Sequence, residues 1–297
     1  MGRPNGVGII MEGNMKKGLI LEGGGMRGLF TAGVLDIFME NGIEFDGAIG
    51  VSAGAVFGCN YKSRQIGRAI RYNMKYCRDD RYCSIKSLIR TGDMYGAQFC
   101  YHYLPKKLDY FDVEAFQKNP MEFYVVATEV KTGKPVYHKI SNGNFFDMEW
   151  IRASASLPLV ANSVKIGKHD MMDGGIADSV PIRFFESIGY NKNVIILTQP
   201  SGYVKKSSLG HKLTTAIVGI KRPGMAKTLK KRPEIYNETI RSIEEREASN
   251  SVFVIRPPEN LDISRTERNP KELHRVYMMG RREGKKVLAE MKRYLGD

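Results

Sequence analysis

Two strand–loop–helix units in the first 60 residues restrict this chain to a small set of folds. Short apolar runs at 18–21 and 47–50 are typical of buried strands. Between them, apolar residues recur at helical spacing over 29–38, and the pattern stops at Asn41-Gly42, which favours a helix end. A second helical pattern over 53–61 follows the second run. Strands that alternate with helices in this way predict an α/β fold with a mostly parallel central sheet.

The rest of the chain continues this pattern to about residue 200 and is mostly helical beyond it. Further strands are predicted at 123–127, 135–138, 163–166, 169–172, 193–198 and 251–255, and helices at 148–155, 181–188 and 271–295. Segment 62–118 is mixed and polar, and we expect it to cover one end of the sheet. We divide the chain into a leader at 1–14, for which disorder is one interpretation, a catalytic core at 15–200, and a basic, mostly helical C-terminal region at 201–297 packed on that core.

The pentapeptide Gly50-Val51-Ser52-Ala53-Gly54 has the pattern G-x-S-x-G and lies between a predicted strand and a predicted helix. In that context a serine occupies a sharp turn that exposes its hydroxyl, and the flanking glycines remove the Cβ clashes that the turn would cause. The positive end of the following helix favours negative charge near the serine oxygen. The alternative is a turn of small residues that packs a helix against a sheet. The position between strand and helix favours Ser52 as a nucleophile.

The segment Gly23-Gly24-Gly25-Met26-Arg27-Gly28 lies between the first strand and the first helix, where backbone amides can form a cradle for an anion. In an acyl hydrolase that anion is the oxyanion of the tetrahedral intermediate, and each donor aimed at it contributes roughly 3 kcal/mol. The first, third and sixth positions also match the dinucleotide fingerprint G-x-G-x-x-G, but Asp46 precedes the second strand instead of following it. Nucleotide binding is therefore the weaker alternative. For Arg27 we favour a salt bridge that anchors the loop over contact with a lipid phosphate.

The segment Asp173-Gly174-Gly175 follows a predicted hairpin and holds a carboxylate on a tight turn, although an ordinary Asp-Gly turn is the alternative. A conventional hydrolase triad needs a histidine after the acid, and His211 and His274 both follow Asp173. Both lie in polar, helical segments without turn glycines, so we expect surface histidines, which leaves a Ser–Asp dyad. An ordinary aspartate has a pKa near ~3.9, so this dyad requires that burial raise the pKa or that the site be dry. A carboxylesterase with a His-containing triad stays open.

Together, the three motifs resemble the patatin-like phospholipase family, in which a glycine-rich loop, G-x-S-x-G and D-G-G occur in this order. Segment 153–158, Ala-Ser-Ala-Ser-Leu-Pro, is similar to a further segment of that family, and the resemblance extends over about 17–200. It implies a three-layer α/β/α fold and a dyad in which Ser52 attacks the acyl carbonyl and Asp173 takes its proton. The amides implied to form the oxyanion hole are those of Gly24, Gly25 and Met26. The implied reaction cleaves fatty-acyl esters of lipids or phospholipids through an acyl-enzyme, without a metal or other cofactor.

Positive charge is concentrated in the C-terminal third. The formal net charge is +14, and residues 201–297 hold 22 Lys/Arg against 12 Asp/Glu. A solubilising surface and peripheral contact with an anionic membrane both fit this charge, and no motif indicates a nucleic-acid partner. The four cysteines form no CxxC pair, and no apolar run is long enough to span a bilayer, which favours a cytoplasmic protein with a lipid ester as substrate. No feature indicates the oligomeric state.

Overall fold

In the computed structural model, which describes residues 15–296, one sheet runs through the protein. Its strands are β1 (Lys17–Leu21), β2 (Gly47–Val51), β3 (Glu122–Glu129), β4 (Pro135–Ile140), β5 (Val164–Ile166), β6 (His169–Asp173), β7 (Lys192–Ile196) and β8 (Val252–Ile255). The strand order is β5–β6–β3–β2–β1–β7–β8, and β4 also pairs with β3. The leader predicted at 1–14 lies outside the described residues.

Helices cover both faces of this sheet. The α-helices are α1 (Gly28–Glu40), α2 (Ala53–Lys62), α3 (Arg68–Tyr76), α4 (Ile85–Thr91), α5 (Val113–Lys118), α6 (Phe145–Ser154), α7 (Ile182–Ser187), α8 (Leu209–Lys221), α9 (Pro223–Ala248) and α10 (Pro270–Leu295). A π-helix spans Phe99–Leu108, and short 3-10 turns span Gly25–Arg27 and Gly174–Ile176. No helix within residues 15–296 combines the length and the apolar character needed to cross a membrane.

The central strands are parallel and buried on both faces. Strands β3, β2, β1, β7 and β8 pair in parallel, whereas β4, β5 and β6 pair antiparallel at one side. Successive side chains of a strand point to opposite faces. In β1, Leu19 and Leu21 accordingly pack in a cluster with α1, α2 and α10, whereas Ile20 packs with α7 and α9. This three-layer α/β/α arrangement with a mostly parallel sheet confirms the predicted fold class.

The C-terminal region contributes to all three layers. Strand β8 pairs in parallel with β7, α9 packs on one face of the sheet, and α10 packs against α1 on the other. The last helix begins at Pro270, where the Asn269 side chain caps it by accepting a hydrogen bond from the Lys271 amide at 3.1 Å. It ends before Gly296, whose φ of 79° suits a helix terminus. The division into a core at 15–200 and an added C-terminal region stays a prediction.

Helices α1 and α10 cross so closely that a Cβ atom at Gly280 would lie 1.9 Å from the carbonyl oxygen of Phe30. We therefore expect Gly280→Ala to lower the free energy of unfolding by about 1–3 kcal/mol, a typical cost of overpacking. Gly219→Ala in α8 is the matched control, because a Cβ atom there meets only the Ala226 side chain at 3.5 Å. Urea unfolding measures both variants, and equal midpoints would contradict the close crossing.

Candidate active site

Ser52 occupies a strained turn between β2 and α2. Its φ is 55° and its ψ is −121°, a conformation that residues with a Cβ atom rarely adopt. The turn is tight enough that a Cβ atom at Gly50 would lie 2.5 Å from the carbonyl oxygen of Gly54. A Cβ atom at Gly54 would lie 2.4 Å from the carbonyl oxygen of Leu21 in β1. Both glycines of the G-x-S-x-G pattern are thus required by backbone contacts around the serine.

A buried serine from α6 holds this turn in place. The amide of Ser52 donates a hydrogen bond of 2.9 Å to the hydroxyl oxygen of Ser154, the last residue of α6. Ser154 is fully buried. Ser154 was not among the predicted site residues, although it lies in the segment 153–158. The available signal was a hydroxyl between two alanines at the end of a predicted helix, because a polar group that is buried there needs a hydrogen-bond partner.

Strand β3 brings Asp173 next to Ser52. One edge of β3 pairs with β4 along Phe123–Thr128, so β2 and β6 must share the other edge. On that edge Val51 of β2 is opposite Val126, and Asp173 of β6 is opposite the next residue, Ala127. The residue that follows Val51 therefore meets the carboxylate at the point where β2 and β6 both end.

Asp173 is 1% exposed, and its two carboxylate oxygens have different surroundings. Oδ1 accepts a hydrogen bond of 2.8 Å from the Gly175 amide, whereas Oδ2 is buried and accepts none from any residue within 15–296. Burial raises the pKa of Asp173 above the ordinary value, and the nearby Ser52 hydroxyl and the Arg232 guanidinium act in the opposite direction. A carboxylate with a raised pKa and one free oxygen beside a hydroxyl can accept a proton.

The glycine-rich loop lies against the same point. A Cβ atom at Gly23 would lie 2.8 Å from the Cβ atom of Ser52. The loop continues into the 3-10 turn at Gly25–Arg27 and then into α1, and the amides at the start of such a turn have no partner within it. The amides of Gly24 and Gly25 are at this free end, and their role as oxyanion donors stays a prediction.

The amide of Met26, the third predicted oxyanion donor, is engaged by the loop between β8 and α10. It donates a hydrogen bond of 3.3 Å to the carbonyl oxygen of Arg265. The same carbonyl oxygen accepts a hydrogen bond of 2.9 Å from the Tyr95 hydroxyl. In this conformation the C-terminal region therefore covers one of the three predicted donors.

Arg27 does not make the salt bridge that we favoured from the sequence. No carboxylate of the described residues lies within ion-pair distance of its guanidinium, and its Nε is buried without a hydrogen-bond partner there. Its side chain instead lines a polar cavity beside Ser52. The expectation was wrong because the nearest acidic side chain, Glu22, is already engaged by the Thr198 amide at 2.6 Å and the Tyr236 hydroxyl at 2.9 Å.

None of the five histidines lines either of the two cavities that contain Ser52. His274 is exposed on α10, as expected. His211 is partly buried instead of lying on the surface, because α8 places it near Leu229 and Arg232 of α9. No group of three or more His, Cys, Asp or Glu side chains in the described part of the chain gathers as metal ligands would.

Two cavities of different character meet at Ser52. The larger has an empty volume of about 1230 Å³, including space open to solvent, and is lined mainly by apolar and aromatic side chains such as Val56, Phe57 and Leu104. The smaller has an empty volume of about 410 Å³ and is lined mainly by polar and charged groups, Asp173 among them. An ester held at Ser52 can therefore extend an apolar chain to one side and a polar group to the other.

Comparisons with known proteins cover most of the chain. The sequence model of the patatin-like phospholipase family matches residues 19–185, and that of a domain of unknown function matches residues 222–296. An uncharacterized protein of Escherichia coli K12, YjjU, is 27% identical over 290 residues, which are 94% of this chain and 79% of that protein. The lysophospholipase nte1 of Aspergillus oryzae is 26% identical over 177 residues, which are 58% of this chain.

The relatives differ in how much of their own length this chain spans. This chain covers only 11% of the Aspergillus lysophospholipase.

Among solved structures, VipD from Legionella pneumophila aligns with a TM-score of 0.44 at 14% identity, over 93% of this chain and 67% of that chain. Since the family model covers more than half of the sequence, the chain belongs to the patatin-like phospholipase family of lipid acyl hydrolases.

Proposed function

We propose that the chain hydrolyses fatty-acyl esters of lipids with Ser52 as nucleophile and Asp173 as general base. The observation that carries this proposal is the buried carboxylate of Asp173, whose Oδ2 has no hydrogen-bond partner in the described residues and which lies close enough to Ser52, on its strained turn, for the serine hydroxyl to lower its pKa. The apolar cavity at Ser52 supports a fatty-acyl chain as the group transferred to the serine.

The reaction would proceed in two steps. The Ser52 hydroxyl attacks the acyl carbonyl while Asp173 takes its proton, and the amides of Gly24 and Gly25 stabilise the oxyanion. The amide of Met26 becomes available when the carbonyl of Arg265 moves away from it. Asp173 then returns the proton to the leaving alcohol, and a water activated by the same carboxylate hydrolyses the acyl-enzyme.

Two alternatives are less well supported. A His-containing triad would need His211 or His274 at the serine, but neither lines the cavities that contain Ser52. Nucleotide binding would need the glycine-rich loop to receive a pyrophosphate, whereas this loop lies against Ser52 and beneath the carbonyl of Arg265.

Labelling with a fluorophosphonate probe tests the dyad. We expect one adduct at Ser52, none in Ser52→Ala, and labelling that is at least about 100-fold slower in Asp173→Asn, because an amide cannot accept the serine proton. His211→Ala and His274→Ala are the matched controls and should label at the rate of the unchanged protein. If either histidine variant loses labelling as completely as Ser52→Ala while it stays folded, a triad replaces the dyad.

The pH dependence of hydrolysis tests the state of Asp173. Only the ionised carboxylate accepts a proton, and burial raises its pKa. We therefore expect kcat/KM on an uncharged ester to fall with decreasing pH through a pKa above the ordinary ~3.9 of aspartate. Arg232→Gln should move this fall to higher pH, because the guanidinium lowers the pKa of Asp173. Kinetics between pH 4 and pH 8 would measure both, and an unchanged profile in Arg232→Gln would count against this assignment.

We also propose that α8 docks the protein on anionic membranes. The outer face of α8 exposes large apolar side chains: Leu209 is 85%, Leu213 63% and Ile220 80% exposed. The exposed basic residues on and beside this helix are Lys206, Lys212 and Lys221. Apolar side chains that insert among headgroups, with lysines that contact anionic lipid at about 1 kcal/mol each, are typical of interfacial helices.

Vesicle binding tests this surface. We expect Leu213→Glu to weaken binding to phosphatidylserine-containing vesicles by about tenfold, since a Leu side chain contributes about 1.5–3 kcal/mol when buried and the new charge opposes the lipid. Ile66→Glu is the control, because Ile66 is also exposed but lies beyond the end of α2 that is remote from Ser52. Equal binding of the two variants, or binding insensitive to salt, would contradict docking through α8.

A further inference from the structure

The polar cavity beside Ser52 is lined by an unusual group of cationic side chains. They are Arg27, Lys205, Arg232 and Arg265, and only the first belongs to the segment matched by the patatin-like family. Over residues 15–296, no carboxylate lies within ion-pair distance of any of them. The C-terminal region, whose role the motifs left open, thus supplies most of the charge next to the nucleophile.

The two carboxylates of this cavity do not neutralise that charge. Glu22 accepts hydrogen bonds from the Thr198 amide at 2.6 Å and the Tyr236 hydroxyl at 2.9 Å. Asp173 is committed to the Gly175 amide and to the proposed proton transfer. Three arginines against two carboxylates leave the cavity with an excess of positive charge, and Lys205 adds to it when protonated.

Helix α9 holds two of the cations in fixed positions. The Arg232 Nε donates a hydrogen bond to the carbonyl oxygen of Gly175. The backbone of Lys205 is clamped by Asn237, which accepts from the Lys205 amide at 2.8 Å and donates to its carbonyl at 3.0 Å. The Lys205 Nζ lies 3.7 Å from the centre of the Tyr236 ring, a cation–π contact. Contacts with the rest of the fold therefore hold Arg232 and Lys205 in position beside the cavity.

The excess positive charge of this cavity favours an anionic ligand. Burial, with the neighbouring Arg232, Arg265 and Arg27, lowers the pKa of Lys205 to about 7, so the cations oppose one another. A bound anion would offset this repulsion. Phosphate suits the cavity best, since arginine and lysine are the side chains that bind it most strongly.

We propose that Lys205, Arg232 and Arg265 form a subsite for the phosphate of a lipid headgroup, while the acyl chain of the same lipid lies in the apolar cavity. The subsite rests on the proposed function, because it assumes that an acyl ester reacts at Ser52. It assigns to the C-terminal region the recognition of phosphate-bearing lipids over neutral glycerides.

Hydrolysis of two esters that differ only in the phosphate tests the subsite. The substrates are 1-oleoylglycerol 3-phosphate and 1-oleoylglycerol, and the quantity is the ratio of their kcat/KM values. We expect Lys205→Met to lower this ratio about tenfold, the effect of one charge-assisted hydrogen bond, and Lys205→Arg to retain most of it. Lys205 is the residue to change because Arg232 and Arg265 also affect the pKa of Asp173. Lys285→Met is the control and should keep the ratio of the unchanged protein, because Lys285 is exposed on α10 and lines neither cavity.

The outcomes separate this inference from the function on which it rests. A partial loss of fold lowers both rates together, so it leaves the ratio unchanged. If Lys205→Met alters only inhibition by inorganic phosphate and not the ratio, the cavity binds a free anion and the headgroup subsite is wrong. An unchanged ratio with a reactive Ser52 contradicts the subsite alone, whereas hydrolysis that survives Ser52→Ala contradicts the dyad itself.

Discussion

The shared edge of β3 is the constraint on which the rest of the site depends. Because β2 ends opposite Val126 and β6 ends opposite Ala127, the turns that follow these two strands must occupy adjacent space. The turn after β6 has no room for a side chain at Gly174, because a Cβ atom there would lie 2.1 Å from the carbonyl oxygen of Val126. The strained φ of Ser52 persists because packed layers on both faces of the sheet determine the path of the chain on either side of it.

The space around Ser52 has two halves of different electrostatic character, an apolar cavity and a polar cavity. The apolar cavity lies under helices that precede β7, whereas three of the four cations that line the polar cavity come from residues that follow β7. Ser52 lies where the two halves meet, and Asp173 lines the polar one, where burial raises its pKa and the charge of Arg232 acts in the opposite direction. The loop that carries Arg265 contacts both halves, since its carbonyl also accepts from the amide of Met26. The C-terminal region is therefore part of the site as well as part of the fold.

Strands and helices with a clear apolar period and recognisable end residues were predicted well, and those without these features were not. The central strands and the last helix lie close to their predicted bounds, because their apolar periodicity and terminal residues are visible in short windows. Helix α6 begins at Phe145 instead of 148, since the Asn144 side chain caps it by accepting from the Asp147 amide at 3.1 Å. Within 62–118, the π-helix at Phe99–Leu108 contains Pro105 and lacks the 3.6-residue period on which prediction relies.

The sequence by itself determined the strand–turn–helix context of Ser52, the glycine-rich loop and the turn after Asp173, because each depends on residues within a few positions of one another. Only the tertiary structure decided which groups meet at the serine. Ser154 reaches the Ser52 amide across 102 positions, and Arg27 shares a cavity with Arg232 and Arg265 from distant parts of the chain. The physical reason is that hydrogen bonds and charges act through space, and strand order and helix packing set distances that no local pattern encodes.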